Sequence, residues 1–218
     1  MKAGISNLRI RNNTIYNLND PGNSGIRAIV ISGARTSDPD QNIVVESNLI
    51  YNVRAEDAAI ALVDGWGTPK GVEIRNNVIA NLQRGQGIKV YRGTDHALYN
   101  NTIYKATGEG IAVLMGSVSV INNLLVGNNS GGDQISFSGT VTSTNNAYSN
   151  TFGGSCTNCV SGLSAATFAN AAGNNLHLVS GSLAIGRGTT LTTFSTDKDG
   201  VARPQGAAWD IGAYESTP

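Results

Sequence analysis

The chain has 218 residues, enough for one domain with a continuous core. Lys plus Arg and Asp plus Glu balance at 15 each, so no net field draws it to nucleic acid or to an anionic membrane. No apolar run approaches the roughly 18–20 residues of a membrane span. With 27 glycines, 6% aromatic and only 14% charged residues, against roughly a quarter charged in an average protein, the composition is that of many short strands joined by tight turns.

From the N-terminus onward one phrase recurs, apolar-x-Asn-Asn-x-Ile-x-Asn. It begins as Ile10-Arg11-Asn12-Asn13-Thr14-Ile15-Tyr16-Asn17 and returns at 46–52, 74–81, 99–104 and 121–125, then faded at 144–148. Its second Asn falls at positions 13, 48, 77, 101, 123 and 146, in steps of 35, 29, 24, 22 and 23 residues. Between copies stands a second phrase: Ile60-Ala61-Leu62-Val63, Ile88-Lys89-Val90-Tyr91, Ile111-Ala112-Val113-Leu114 and Ile135-Ser136-Phe137-Ser138. Each is closed by a Gly a residue or two later. These read as period-two strands with their first and third residues inward. No stretch sustains helical spacing, and identical phrases at coil spacing stack on themselves in parallel. The expectation is an all-β, right-handed parallel β-helix of about six regular coils, each with at least two strands. Asn13, Asn48, Asn77, Asn101, Asn123 and Asn146 would form a hydrogen-bonded ladder, Asn also tolerating the left-handed corner geometry.

Two segments divide this one domain: coils over residues 1–152, and irregular final coils with a closing cap over 153–218, in which Trp209, Ile211 and Tyr214 would cover the end. At the other end Leu8-Arg9-Ile10 follows Met1 within a few residues. The first rung is therefore expected to lie open, through truncation of a longer protein or for end-to-end self-association with another copy. Cys156 and Cys159, a lone C-x-x-C in a Gly/Ser/Asn-rich loop, form either a local disulfide or two free thiols. With no second Cys pair and both histidines far off, they do not make a zinc site.

The Asn-Asn-x-Ile phrases resemble the repeats of the pectate-lyase-like superfamily. The tail Asp197-Lys198-Asp199-Gly200-Val201-Ala202-Arg203-Pro204, followed by Asp210-Ile211-Gly212-Ala213-Tyr214-Glu215, is similar to the ending of secreted bacterial β-helix proteins of the choice-of-anchor Q type. That group more often has Pro where Leu183 stands and an acidic residue near Gly186. The resemblance implies a secreted or cell-surface protein acting on polysaccharide, by lyase, hydrolase or epimerase chemistry or by binding alone.

Aligning the second phrase puts Ala61, Lys89 and Ala112 in one outward column and Val63, Tyr91 and Leu114 in another. One coil gathers the chemistry: Lys89, Tyr91, Arg92, Asp95 and His96, with Asp64 and Trp66 from the coil before and Lys105 after. A lyase of uronic acids needs a cation to neutralise the sugar carboxylate and a base to take the adjacent proton. Lys89, Arg92 and His96 are thus the catalytic candidates, while Asp64, Trp66, Lys89, Tyr91, Arg92 and Asp95 are the candidates for holding sugar. The same cluster also reads as ordinary solvated surface. Chondroitinase B and alginate lyase relatives pair a Lys before an Asn-Asn corner with an Arg on the next coil. Here Arg92 stands near the Lys position, and Val113, Leu114 and Met115 replace the Arg. Asp64 and Asp95 are too few to cage Ca²⁺, so no metal ligands are assigned, and Ca²⁺ stays open only as the lyase cofactor the resemblance suggests. Asp197-x-Asp199-Gly200 begins like an EF-hand loop, but Ala208 stands at its twelfth position, which favours a Gly turn. Hydrolysis would need two carboxylates across a cleft; Asp64 with Asp95, or Glu109 with Asp133, fit no distinctive spacing. The expected activity is polysaccharide binding, with β-elimination as the reaction if it cleaves; the competing reading is a non-catalytic spacer or adhesin-like module. The long early steps, with insertions at 20–24, 34–41 and 66–70, suit the walls of a groove.

Overall fold

In the computed structural model, residues 6–19, 26–33, 42–65 and 67–217 are described, apart from the Glu56 side chain. Among them the chain winds through six coils. The first holds β1 (Arg9–Arg11), β2 (Thr14–Tyr16) and β3 (Ile29–Ser32); the second β4 (Val44–Glu46), β5 (Leu49–Tyr51) and β6 (Arg54–Val63); the third β7 (Glu73–Arg75), β8 (Val78–Leu82) and β9 (Arg84–Val90). The fourth holds β10 (His96–Tyr99), β11 (Thr102–Ala106) and β12 (Ile111–Val113); the fifth β13 (Ser117–Ile121), β14 (Leu124–Val126) and β15 (Ile135–Phe137); the sixth β16 (Thr140–Thr144) and β17 (Ala147–Tyr148). Strands three apart in this order pair in parallel. They give a first sheet β1-β4-β7-β10-β13-β16, a second β2-β5-β8-β11-β14-β17 and a third β3-β6-β9-β12-β15. The first five coils hold three strands each and the sixth two, in keeping with the expected minimum of two, because each Asn-Asn phrase holds a strand on either side of its corner.

Like stacks on like inside the coils. Ile10, Val45, Ile74, Leu98 and Val120 follow one another in register in the first sheet. Ile15, Ile50, Ile79, Ile103 and Leu125 do so in the second, and Ile29, Ile60, Ile88, Ile111 and Ile135 in the third. Most of these side chains are fully buried, each contributing about 2–3 kcal/mol of hydrophobic stabilisation.

The corner between the first and second sheets divides the two tasks of asparagine between neighbouring residues. Asn12, Ser47, Asn76, Asn100, Asn122 and Asn145 take the left-handed conformation, with φ from 49° to 59°. The following residue forms the ladder. Asn13 Nδ2 donates to Asn48 Oδ1 at 3.0 Å, Asn48 to Asn77 at 2.9 Å, Asn77 to Asn101 and Asn101 to Asn123 at 3.0 Å, and Asn123 to Asn146 at 3.1 Å. Each backbone N–H of Asn13, Asn48, Asn77, Asn101 and Asn123 donates to the same oxygen as its side chain. The ladder expected from the repeat is therefore present, but left-handed geometry belongs to the residue before it. A second left-handed column, Asn17, Asn52, Asn81 and Lys105, directly follows β2 and β5 and stands one residue before the ends of β8 and β11, the position at which the phrase closes on Asn.

Beyond the sixth coil, Thr157 bridges Thr144, Val160 bridges Ala147, and Phe152 enters the core beside Phe137 and Tyr148. This short turn stacks on the sixth coil. Residues from 164 onward fold back along the flank, through a hairpin of β18 (Phe168–Asn170) and β19 (Asn175–Leu178). Leu163, Phe168, Leu176, Ala184, Ile211, Ala213 and Tyr214 pack on Val78, Ala80, Tyr104, Leu124 and Val126, the outer face of the second sheet. The left-handed asparagines hold this strap, Asn145 Nδ2 donating to Arg187 O, Asn122 to Thr189 O, Asn100 to Asp210 O and Gly212 O, and Asn76 to Thr196 O. Ile211 and Tyr214, expected as part of an end cap, thus form a lateral cover, and Trp209, expected with them, is buried within the strap against Phe194 and Arg203. A sheet buried on both faces needs apolar residues on both, which explains the unbroken burial of β14.

Replacing a mid-ladder asparagine should cost far more than replacing the first one. Asn101→Leu strands the buried Asn77 N–H, takes one of three acceptors from the Asn77 amide and leaves Ile74 O without the Asn101 donor, and should lose about 3–5 kcal/mol in urea unfolding. Asn13→Leu removes only a donor at an exposed position and should lose less than about 1 kcal/mol. Equal losses would show that the ladder carries no special share of stability.

Candidate functional site

The outward face of the third sheet carries the cluster. Ala61 and Ala112 flank Lys89 in register, as the aligned phrases predict, and their small side chains leave Lys89 room to lie across the sheet. Its partner is a residue the sequence reading does not single out. Lys89 Nζ donates to Asp57 Oδ1 at 2.7 Å, the Tyr91 hydroxyl donates to the same oxygen at 2.7 Å, and Arg27 Nε donates to Asp57 Oδ2 at 2.7 Å. The Lys89 ammonium also lies 4.7 Å from the centre of the Tyr91 ring. Three consecutive coils, through Arg27, Asp57 and Lys89 with Tyr91, meet at one carboxylate.

Asp57 reaches this position because β6 carries extra residues. Arg54 pairs with Arg84 but Ala58 pairs with Gln86, so three residues of β6 face Gly85 alone. Such a bulge re-aims the side chains it carries. Gly85 has φ +86°, and a Cβ there would stand 2.4 Å from Ala55 O and 2.8 Å from Asp57 O, so a side chain would push the bulge away. The surplus was visible as the step of 29 residues and the charged run Arg54-Ala55-Glu56-Asp57, which no other coil repeats.

Charge follows geometry. Burial alone would raise the Asp57 pKa, but hydrogen bonds from Lys89, Tyr91 and Arg27 outweigh it and hold the carboxyl below its ordinary range. Burial would lower the Lys89 pKa, but the bond and attraction to Asp57 prevail and keep the ammonium charged above its ordinary value. Arg27 is shifted upward through the same partner, against a like burial effect.

The other expected site residues scatter around this hub. Arg92 and Asp64 form an exposed pair at 3.3 Å at the strand ends, and Asp95 pairs with Lys70 at 3.5 Å at the next corner; exposed pairs of this kind contribute about 0–1 kcal/mol. His96 is not on this face. It points into the coil, 1% exposed, its Nδ1 accepting the Val72 N–H at 3.2 Å while Nε2 lies against Gly93 under the turn that carries Arg92. Trp66 and the insertions at 20–24 and 34–41 lie outside the described residues. Among the described residues no three His, Cys, Asp or Glu side chains gather as metal ligands. In the tail, Asp197 spends its oxygens on the backbone N–H groups of Asp199, Val201 and Glu215, while Arg203 and Glu215 make a buried ion pair at 2.6 Å. These carboxylates lock the strap; the resemblance to an EF-hand start is a turn closed on Gly200, φ +87°.

Burial lowers the His96 pKa from 6.5 to about 4, and the nearby Asp95 carboxylate opposes it only in part. The unfolded chain takes this proton near pH 6.5 and the folded chain only near 4, so the unfolded state binds more protons between them. Stability should therefore be intact above pH 6.5 and fall by about 3 kcal/mol as pH drops to 4. Urea titrations across that window should show the slope in the native chain and a flatter one in His96→Leu; an equal slope in both would exclude His96 as its source.

A family model for the right handed beta helix region matches residues 3–183, well over half the chain. A search of curated proteins found no match. The parallel three-sheet coils, their internal ladder and this match together make the chain a member of the right-handed beta-helix family.

Proposed function

We propose that this protein is a secreted bacterial polysaccharide-binding protein of the pectate-lyase-like superfamily, and that the outward face of its third sheet receives an acidic glycan. The observation that carries the reading is the convergence of Arg27 and Lys89 on the single carboxylate of Asp57. Among the described side chains two cations share this one anion, which favours a sugar carboxylate or sulfate as the group received. Arg92, half exposed at the rim, adds a cation that a glycan can draw from Asp64. Tyr91 offers hydroxyl and ring beside them. The third sheet is also the face on which the strap does not pack, whereas the second is buried under it. A disulfide between Cys156 and Cys159 fits an extracellular compartment.

Binding, rather than β-elimination, is what this geometry favours. A base must give up its proton before it can take one, and Asp57 holds Lys89 as the ammonium. His96 lies inside the coil and does not reach a glycan on the face.

Isothermal titration against polygalacturonate, alginate, chondroitin sulfate and a neutral glycan, with and without Ca²⁺, tests the reading while absorbance reports unsaturated products. The expected result is affinity for one or more acidic chains that falls with salt, drops at least tenfold in Lys89→Ala or Arg27→Ala, and rises in Asp57→Asn. Unsaturated product lost in Lys89→Ala would convert the reading to a lyase. Absence of binding to every acidic chain, or binding indifferent to Arg27 and Lys89, would overturn it in favour of a spacer.

A further inference from the structure

The asparagine ladder does not stop at Asn146. The parallel bridges Thr144 to Thr157 and Ala147 to Val160 put residues thirteen apart in register, so Asn145 faces Asn158 and Asn146 faces Cys159. Asn158 has φ 55°, the conformation of every corner residue that precedes a ladder asparagine. Residues 157–160 are thus a seventh, abbreviated copy of the corner with cysteine in the ladder position. The hydrogen bonds agree. The backbone N–H of Asn146 donates to Cys159 Sγ at 3.1 Å, as each earlier ladder N–H donates to the next Oδ1. Asn146 Nδ2 reaches Cys156 Sγ at 3.6 Å and the Ser143 hydroxyl reaches it at 3.3 Å.

We propose that the Cys156–Cys159 disulfide is the terminal rung of the ladder and a redox-sensitive latch for the last coil. A ladder asparagine must both accept from the rung before and donate to a rung after. A disulfide sulfur accepts and offers no N–H, so it ends the series without an unpartnered donor. The coil it holds is thirteen residues long and joined to the sixth by isolated bridges rather than by a strand, so the latch is a large part of what fixes it. Opening it needs a dithiol reductant. A thiolate of the reductant attacks one cysteine sulfur and displaces the other as thiolate. The reductant's second thiol then breaks the mixed disulfide, leaving two protein thiols and the oxidised, cyclised reductant, with two electrons transferred.

Native-state hydrogen exchange on the whole protein, oxidised and with dithiothreitol, tests this. On reduction, with thiol titration confirming two free thiols, the amides of Asn146, Tyr148, Thr157, Val160 and Leu163 should exchange at least tenfold faster, while those of Asn77 and Asn101 stay unchanged. Unaltered exchange after complete reduction would overturn the latch. Cys156→Ser/Cys159→Asn restores an amide rung and should keep these amides protected regardless of reductant, whereas Cys156→Ser/Cys159→Ala should leave them unprotected. Equal protection in the two variants would overturn the assignment of residue 159 to the ladder.

Discussion

The structure depends on one constraint: each coil must deliver an amide side chain to the same corner, at the height of the amide in the coil before. Side-chain carbonyls in the ladder accept two hydrogen bonds from the preceding asparagine, one from its backbone and one from its side chain, in a place closed to water. A slip in register would leave both buried donors without acceptors, at a cost of about 1–3 kcal/mol each. The ladder therefore fixes phase at one corner of every coil. Variation in length is forced elsewhere, chiefly into the segments on either side of the third sheet, where the steps of 35 and 29 residues find room.

That division of labour separates the three outer faces. The second sheet is sealed by the C-terminal strap, whose carbonyls take the side-chain amides of the left-handed corner residues. On the first sheet Arg75 binds Glu46 at 2.6 Å and Glu73 at 2.7 Å, Arg9 binds Glu46, and Phe194 of the strap lies under the Arg75 guanidinium. The third sheet carries a bulge, and on it Arg27, Lys89 and Tyr91 from three coils converge on the one carboxylate of Asp57. Function on a solenoid gathers where the repeat is broken, because the repeat itself is committed to stacking.

The same logic explains what could be read from sequence. The coil number, the ladder and the column Ala61, Lys89, Ala112 were legible because they obey the period. Asp57 was not, since it sits in surplus residues that no alignment of coils can phase, and Arg27, two residues before the in-register Ile29, gains its meaning only from Asp57. His96 was legible and misread: it stands two residues before the inward Leu98, and strand alternation turns both to the core. Cys159 escaped because a step of thirteen and a sulfur in place of an amide hide a seventh copy whose corner, Asn158, is otherwise regular. The strap left a trace in the apolar outward residues Val78, Leu124 and Val126, but nothing in the repeat says which distant segment covers them.

Asp57 gives the candidate site its character. An unpaired Lys89 and Arg27 so close together on a half-buried face would repel one another and lose hydration. The carboxylate between them offsets both costs and holds the two cations at one spot, and it also fixes the Lys89 proton. Stability of the cluster and basicity of Lys89 are thus opposed. On the proposed reading, a glycan carboxylate arriving at Arg27 and Lys89 would compete with Asp57 for donors rather than find them free. Affinity should therefore be governed by exchange between two carboxylates of similar strength, which favours reversible, salt-sensitive contact along a chain over tight capture of a single sugar.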